Sequence, residues 1–571
     1  MEKKWKLNES APSEFIELFN GLHPLVAQLL YNRGIQNQTE AEFFFNPDYE
    51  SLHDPFLFRD MKKAVDRIWL AIENKEKIII HGDYDADGVT SAAILFKTLK
   101  FLQADVSAFI PHRELDGYGL KMENVERFAL EGCKLLITVD CGITNVDEIK
   151  FLNEASVDVI VTDHHEPLEI LPSAFAIIDA KTQDSGYPFR DLSGAGVAFK
   201  VVQGLLHDQE KTAPYFTSTT PDNFKKWLLD IVAIGTVADV MPLIDENRIL
   251  VKWGLVVLGK TRNSGLQKLL EMIGNKKIDS FTIGFQIAPR LNAAGRMKHA
   301  KAAFDLLTAE DPIRAGELAE ELQKNNETRQ KMTESAVEQA RQQISLIAEE
   351  QNFLFAFDPV WEAGLVGLIA GRLCDEFCRP IIVMTESQGR IIGSGRSVEG
   401  FNITQSLTTV KQFLARFGGH SQACGFTLVD MNLLEEFKME MLKQSEAELE
   451  KLEFALNLEI DAEIELNNID LELIKMMSLL EPYGEGNEKP LFLISNLQIV
   501  SFDALGIQSQ HLRLNVRQNG PRVYKMMWFG RAQKVLNLLH AGDTIEAIVE
   551  LGINEWNGRC EPEARIVDLK L

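Results

Sequence analysis

Between residues 77 and 245 short β-branched runs alternate with amphipathic stretches: KIIIH, then VTSAAILFKTLKFL, DVSAFI, LLITVD, DVIVTD and AFAIID. A strand with one wet face shows apolar residues at every second position, whereas these runs are apolar at successive positions and so must be covered on both faces. The pattern therefore predicts βαβ units and an α/β fold built on a doubly wound, mostly parallel sheet. In such sheets ligands bind beyond the strand C-terminal ends, so the polar residues that directly follow each run are the ones to inspect.

Further along, AEDPIRAGELAEELQKNNETRQKMTESAVEQARQQISLIAEE is rich in Ala, Glu, Gln, Lys and Arg with apolar residues at helical spacing, which predicts a connecting helix over 310–350. It would join a main lobe, 71–309, to a second and smaller α/β lobe, 351–455, whose strands are NFLFAF, PIIVMT and RIIGSG. From 456 to 571 the short alternating strands LQIVSF, HLRLNV, VYKMMWF and DTIEAIVEL predict an OB-like β-barrel, an architecture suited to single strands. Residues 1–70 read as a helical leader that packs on the core.

The length of 571 residues fits three or four domains at roughly 150 residues each. The start, MEKKWKLNES, lacks an apolar segment after its basic residues, and no run approaches the ~18 apolar residues of a membrane span, so a cytoplasmic protein is expected. Six cysteines, at 133, 141, 374, 378, 424 and 560, form no disulfide framework and no four-ligand zinc set. The formal charge of -25 argues at first against a nucleic-acid partner. Thirteen acidic against four basic residues lie in 431–480, however, so a net of -9 sits in one segment and leaves room for positive fields elsewhere.

The octapeptide His81-Gly82-Asp83-Tyr84-Asp85-Ala86-Asp87-Gly88 follows the run KIIIH and precedes a helix. Three carboxylates so close together repel, and need either raised pKa values or cations between them. Taken alone, the segment could be a helix-capping loop with Asp87 placed where the dipole favours an anion. Asp140 ends the run LLITV, Asp163-His164-His165-Glu166 follows the run VDVIV, and Asp239 closes an apolar helix in AIGTVADVMPL. Each has a bland explanation by itself. Jointly they put Asp and His at one end of one sheet in four segments, which a shared metal site explains. Several oxygen ligands with two imidazoles favour Mn2+ or Mg2+ over zinc, in number enough for two divalent cations bridged by a carboxylate, an arrangement suited to phosphoryl transfer.

The order HGDYDADG, strand-terminal VD, the DHH triplet and the Asp of ADV resembles the motif set of the DHH phosphoesterases. That resemblance implies a catalytic set of Asp85, Asp87, Asp140, His164, His165 and Asp239. His81, Asp85 and Asp140 would bind one ion, and Asp87, Asp140, His164 and Asp239 the other, with Asp140 as the bridge. Asp83 falls outside that ligand scheme, and His165 would contact the substrate phosphate.

Further motifs resemble the RecJ exonucleases within that superfamily: RELDGYGL at 113–120, LSGAGVAFK at 192–200, APRLNAAGRM at 288–297, GSGRS at 393–397 and FGGH at 417–420. The resemblance implies 5′→3′ hydrolysis of single-stranded DNA to 5′ mononucleotides, in DNA repair and recombination. Arg296, Ser394 and Arg396 would hold the terminal 5′ phosphate, His420 the scissile phosphate, and Arg113 the backbone. It also implies a single-strand-binding protein and a helicase as partners. At Glu362 RecJ-like sequences often carry His, so no catalytic role is expected there. Arg513, Arg517, Lys525, Trp528 and Arg531 could form a phosphate track with a stacking aromatic on the barrel, although the segment from 501 carries nine basic and eight acidic residues. Two other readings share part of this pattern. A small-substrate DHH phosphodiesterase would not need the extra β-rich domain, and an inactive replication scaffold should have lost its ligands.

Overall fold

The five buried runs form a fully parallel sheet in a computed structural model that describes residues 3–571 except 114, 275–276, 298, 346–347, 349–350, 453, 455–456, 531 and 557–558, and the side chains of 534, 556 and 559. In chain order its strands are Ile78–His81, Val106–Phe109, Leu135–Val139, Asp158–Thr162 and Ala176–Ile178; across the sheet the second strand lies outside the first, and the third to fifth follow on the other side. Helices Met122–Leu130 and Val146–Glu154 cover one face, where Val125, Phe128, Ile149 and Leu152 meet Ile79, Leu136 and Val159. Ala86–Phe101 and Gly194–Leu205 cover the other. The strand order reverses between Ile78–His81 and Leu135–Val139, and a crevice opens at such a switch point beyond the strand C-terminal ends. His81 and Asp140 stand there.

The helix Pro312–Ser345 is continuous over 34 residues, about 51 Å at the α-helical rise. Its first part packs on the helices Ser264–Ile273, Ala288–Met297 and Lys301–Thr308 of the main lobe. Its last part packs on the strand Leu354–Phe357 and the helix Val366–Phe377 of the second lobe. The second lobe's sheet runs Leu414–Gly419, Ala423–Leu428, Arg390–Arg396, Ile381–Ser387, Leu354–Phe357, and only the last pair is parallel. Both lobes belong to one compact unit, 52–454.

The other unit combines residues 1–51 with 455–571. Five strands, Phe492–Leu505, His511–Arg517, Tyr524–Trp528, Arg559–Lys570 and Thr544–Trp556, pair in that order, and the first also pairs with the last, which closes a barrel. The leader read from the sequence as one piece is thus divided. The strand Lys4–Leu7 pairs with Asn457–Ile460, and Val26, Leu29, Leu30, Phe44 and Phe45 share a core with Leu480, Phe492 and Ile494. The helix Met61–Glu73 belongs to the other unit, where Arg67 is bonded to Asp158 at 2.5 Å and to the Lys134 carbonyl at 3.2 Å. An amphipathic pattern shows that a stripe must be covered but does not name what covers it.

Candidate active site

Four loops at the switch point bring the carboxylates together. Asp85 caps the helix Ala86–Phe101 by accepting the Gly88 N–H at 3.0 Å, which turns the octapeptide back over the sheet edge. Two residues further on, Asp87 accepts two backbone N–H groups from the start of the helix Gly194–Leu205, Gly194 at 2.6 Å and Ala195 at 2.9 Å. The N-terminus of that helix is thus spent on orienting a carboxylate. Asp140 leaves its strand with φ at +59, a conformation a residue with a side chain adopts at a cost, so the loop holds it there against strain. A Cβ added to Gly194 would lie 2.7 Å from the Asp140 Cβ, and one added to Gly235 would lie 2.5 Å from the Asp87 Oδ1. LSGAGVAFK therefore needs its first glycine for this close approach.

Asp163 is buried and accepts from the backbone N–H groups of Ile143, His164 and His165, and from the His165 ring at 2.7 Å. It sets the pose of both imidazoles. His164 Nε2 lies 3.1 Å from Asp140, 3.4 Å from Asp239 and 3.8 Å from Asp87, while His165 Nδ1 also lies 3.0 Å from the Tyr118 hydroxyl. Asp239 sits at the C-terminal end of the helix Leu229–Ala238, the end at which the dipole disfavours an anion.

Without cations the cluster is electrostatically unfavourable. Burial, then repulsion from Asp87, Asp85, Asp239 and Asp83, push Asp140 well above the carboxylate range. Burial and Asp85 do the same to Asp83, and raise Asp87 to about 7 against its two backbone bonds. Burial with Asp87 and Asp85 raises Asp239. Burial lowers His81 to about 4, and burial with His165 lowers His164 to about 3, so both imidazoles are neutral and free to ligate. Burial also opposes a charge on His165, but the Asp163 hydrogen bond and the charges of Asp163, Asp239 and Asp83 outweigh it and raise the ring to about 9. Buried His81 Nε2, Asp83 Oδ1, Asp140 Oδ1 and His164 Nε2 have no hydrogen-bond partner among the described residues. Three groups of donor atoms lie within 4.8 Å of one another: Asp83, Asp85 and Asp140; Asp87, His164 and Asp239; and Asp140, His164 and His165. Unpartnered buried carboxylate oxygens and neutral imidazoles in overlapping groups fit two divalent cations. Asp83, rather than His81, shares the first group.

Beside the acids lies a set of guanidiniums. Arg113 stacks 5.0 Å over the Tyr84 ring, and Arg296 donates to the Gly364 carbonyl of the second lobe at 3.0 Å. Burial, Arg113, Arg329 and Arg396 together depress Arg296 to about 9, with only Asp85 opposing, so these cations converge. Arg396 donates to the Ser394 hydroxyl at 3.2 Å, and Gly367 at the head of the helix Val366–Phe377 leaves room beside both. Among the described residues Arg113, Arg296, Arg329 and Arg396 form no ion pair. Clustered guanidiniums without carboxylates make an anion site.

Of the residues singled out in the sequence, His420 and Glu362 stand apart: His420 is exposed at the tip of the hairpin Leu414–Gly419 with Ala423–Leu428, and Glu362 is exposed at the entry to the second lobe's helix. Trp528 points into the barrel and is buried, Arg513 is paired with Asp503, and Arg517 is bonded to Gln498, so the track read on that segment lacks its aromatic; Arg531 lies outside the described residues. Sequence reasoning left Asp163 and Tyr118 without roles and missed Asn292, whose Oδ1 accepts the Ala86 N–H at 2.8 Å. It also missed Arg329, which sits within an otherwise ordinary helical pattern. Asp163 directly follows a strand, and Tyr118 and Asn292 lie in RELDGYGL and APRLNAAGRM, so these three carried a signal that Arg329 did not.

Comparison with known proteins accords with this geometry. The DHH family, N-terminal domain, matches residues 77–236, the DHHA1 domain 350–451 and the RecJ OB domain 460–568. A single-stranded-DNA-specific exonuclease RecJ of Bacillus subtilis is 36% identical over 99% of this chain and 70% of its own length. Its counterpart in Haemophilus influenzae is 32% identical over 86% of each chain. A crystal structure of RecJ in complex with Mn2+ from Thermus thermophilus superposes with a TM-score of 0.84 at 30% identity, covering 100% of this chain and 79% of that one. A Mg2+ complex from the same organism gives a TM-score of 0.76 at 28% identity, covering 100% of this chain and 78% of that one. With its acids gathered at the switch point, guanidiniums beside them and relatives of this extent, the chain belongs to the RecJ family of single-stranded-DNA-specific exonucleases.

Proposed function

We propose that this chain hydrolyses single-stranded DNA from the 5′ end and releases 5′ mononucleotides. The observation that carries the reading is the buried carboxylate and imidazole cluster set beside guanidiniums that form no ion pair among the described residues. His81, Asp83, Asp85, Asp87, Asp140, His164 and Asp239 would hold two divalent cations, Mn2+ or Mg2+, with Asp140 shared between them. When bound, such ions supply Lewis acidity, which acidifies a water and offsets charge on a phosphoryl group.

The protein's own groups do the rest. Arg296, Ser394 and Arg396 dock the terminal phosphate, which sets the first internucleotide bond over the acids and gives the reaction its polarity. Arg113 holds the backbone, and by the family resemblance His420, exposed at its hairpin tip and apart from the acids in this structure, would contact the scissile phosphate. Asp163 and Tyr118 engage His165 Nδ1, so its Nε2 is the ring nitrogen left for the substrate, and a protonated ring stabilises charge developing on the phosphate. The same reading makes this a cytoplasmic protein of DNA repair and recombination that works with a single-strand-binding protein and a helicase. Among the described residues no helix is long and apolar enough to cross a membrane.

The test follows products from a 5′-labelled single strand, its duplex and a dinucleotide, with Mn2+, Mg2+ or EDTA. Metal-dependent release of labelled mononucleotide from the long single strand supports the reading. Turnover confined to the dinucleotide would replace it with a small-substrate phosphodiesterase.

A further inference from the structure

The π-helical turn Thr282–Ile287 runs into the helix Ala288–Met297 as one rod. Along it Phe281, Phe285, Pro289, Asn292 and Arg296 recur every three or four residues and keep some exposure, while Ile283, Ile287, Ala288, Leu291 and Gly295 are buried behind them. One end of this stripe is in the active site. Asn292 accepts the Ala86 N–H, and a Cβ added to Gly295 would lie 2.7 Å from the Tyr84 carbonyl. At the other end Phe281 and Phe285 are 57% and 69% exposed, with ring centroids 4.6 Å apart and planes 21° from parallel.

Two large rings stacked in water leave flat apolar faces uncovered on a segment whose π-turn geometry is itself enriched at functional sites. The turn also packs on the helix that ends at Asp239: a Cβ added to Gly284 would lie 3.6 Å from the Val237 side chain, and the next exposed apolar residue there, Val240, directly follows Asp239. From Asn292 to Phe285 is seven residues, about 10 Å along the rod.

We propose that Phe281 and Phe285 form a stacking platform for the bases of the single strand downstream of the cleaved bond. The proposal rests on the function given above. Its occupant is unpaired bases, because the stripe is continuous with the site, the guanidiniums at its other end take the phosphates, and every base offers a π-face to a ring. Bases inside a duplex are already stacked and cannot use it, so the platform also favours single strands.

Both rings are exposed, so substitutions should fold, which a circular dichroism melt checks. In Phe285→Trp, titration with a single-stranded oligonucleotide in EDTA should quench emission beyond the change seen in the native protein, whose seven tryptophans set the background, and the duplex should not. With Mn2+, the doubly substituted Phe281→Ala, Phe285→Ala protein should show a KM for a long strand raised about tenfold. Its preference for a long strand over a trinucleotide should shrink by a similar factor. Abasic residues a few positions from the 5′ end should slow the native protein and not the double variant. Phe285→Tyr should retain the native KM where Phe285→Leu does not. A quench no larger than that of the native protein, or a KM and abasic effect unchanged in the double variant, overturns the platform while leaving hydrolysis by the native protein intact. If the native protein cleaves no strand, the proposed function falls first, and the quench titration still decides whether the rings bind bases.

Discussion

At the scale of single residues, the site is defined by charges that the fold holds in place at a cost. Asp140 combines a left-handed backbone, burial and four carboxylate neighbours, so Asp140→Ala should lower turnover at least about a thousandfold. A variant with near-native rate in a single-turnover assay would remove its bridging role. Arg396→Ala should cut the preference for 5′-phosphorylated over 5′-hydroxyl ends about ten- to hundredfold, read as a ratio of kcat/KM values. The titrating groups also make a metal-free prediction. His165, raised to about 9, contributes stability that is complete below about pH 6.5 and is lost as pH rises through 9. Asp87, raised to about 7, loses its contribution as pH rises from 3.8 through 7. His81 and His164, lowered to about 4 and 3, act in the opposite sense, but only below 6.5. In EDTA the Tm of the 52–454 unit should therefore fall between about pH 6.5 and 9, and Mn2+ should abolish that fall. A flat profile in EDTA would mean that the acids are not strained without cations.

At the scale of elements, the helix Gly194–Leu205 shows how one segment serves packing and chemistry together. Ser193 caps it by accepting the Gly196 N–H at 3.1 Å, and the Gly194 and Ala195 N–H groups are given to Asp87. Ser193→Ala should cost about 1 kcal/mol in a denaturant melt, as for other N-caps. Gly194→Ala should lower the melt further and also raise the Mn2+ concentration needed for half-maximal activity, because its methyl would lie 2.7 Å from the Asp140 Cβ and displace it. Strand-terminal acids were legible in the sequence, since runs apolar at successive positions mark strands whose ends must emerge together. The role of LSGAGVAFK was not. A glycine next to a serine reads equally well as a turn, and only the approach of Gly194 to Asp140 distinguishes the two.

At the scale of the whole molecule, the chain passes through its barrel unit twice, as residues 1–51 and again as 455–571. Removing 1–51 should expose the apolar surface that Val26, Leu30, Phe44 and Phe45 cover, and the barrel should aggregate or lose its cooperative melt. A truncated protein with a native melt would show that these helices are dispensable.

The sequence by itself determined the parallel sheet, the bridging helix, the barrel and the convergence of Asp85, Asp87, Asp140, His164 and Asp239, because hydrophobic period and the direction of parallel strands are local or topological constraints. It did not determine that Asp83 shares donor distance with Asp85 and Asp140, that Asp163 and Tyr118 pose His165, that Trp528 turns inward, or which surface covers the first helices. Those outcomes depend on rotamers and on contacts between segments far apart in the chain, and only the packed tertiary structure decides them.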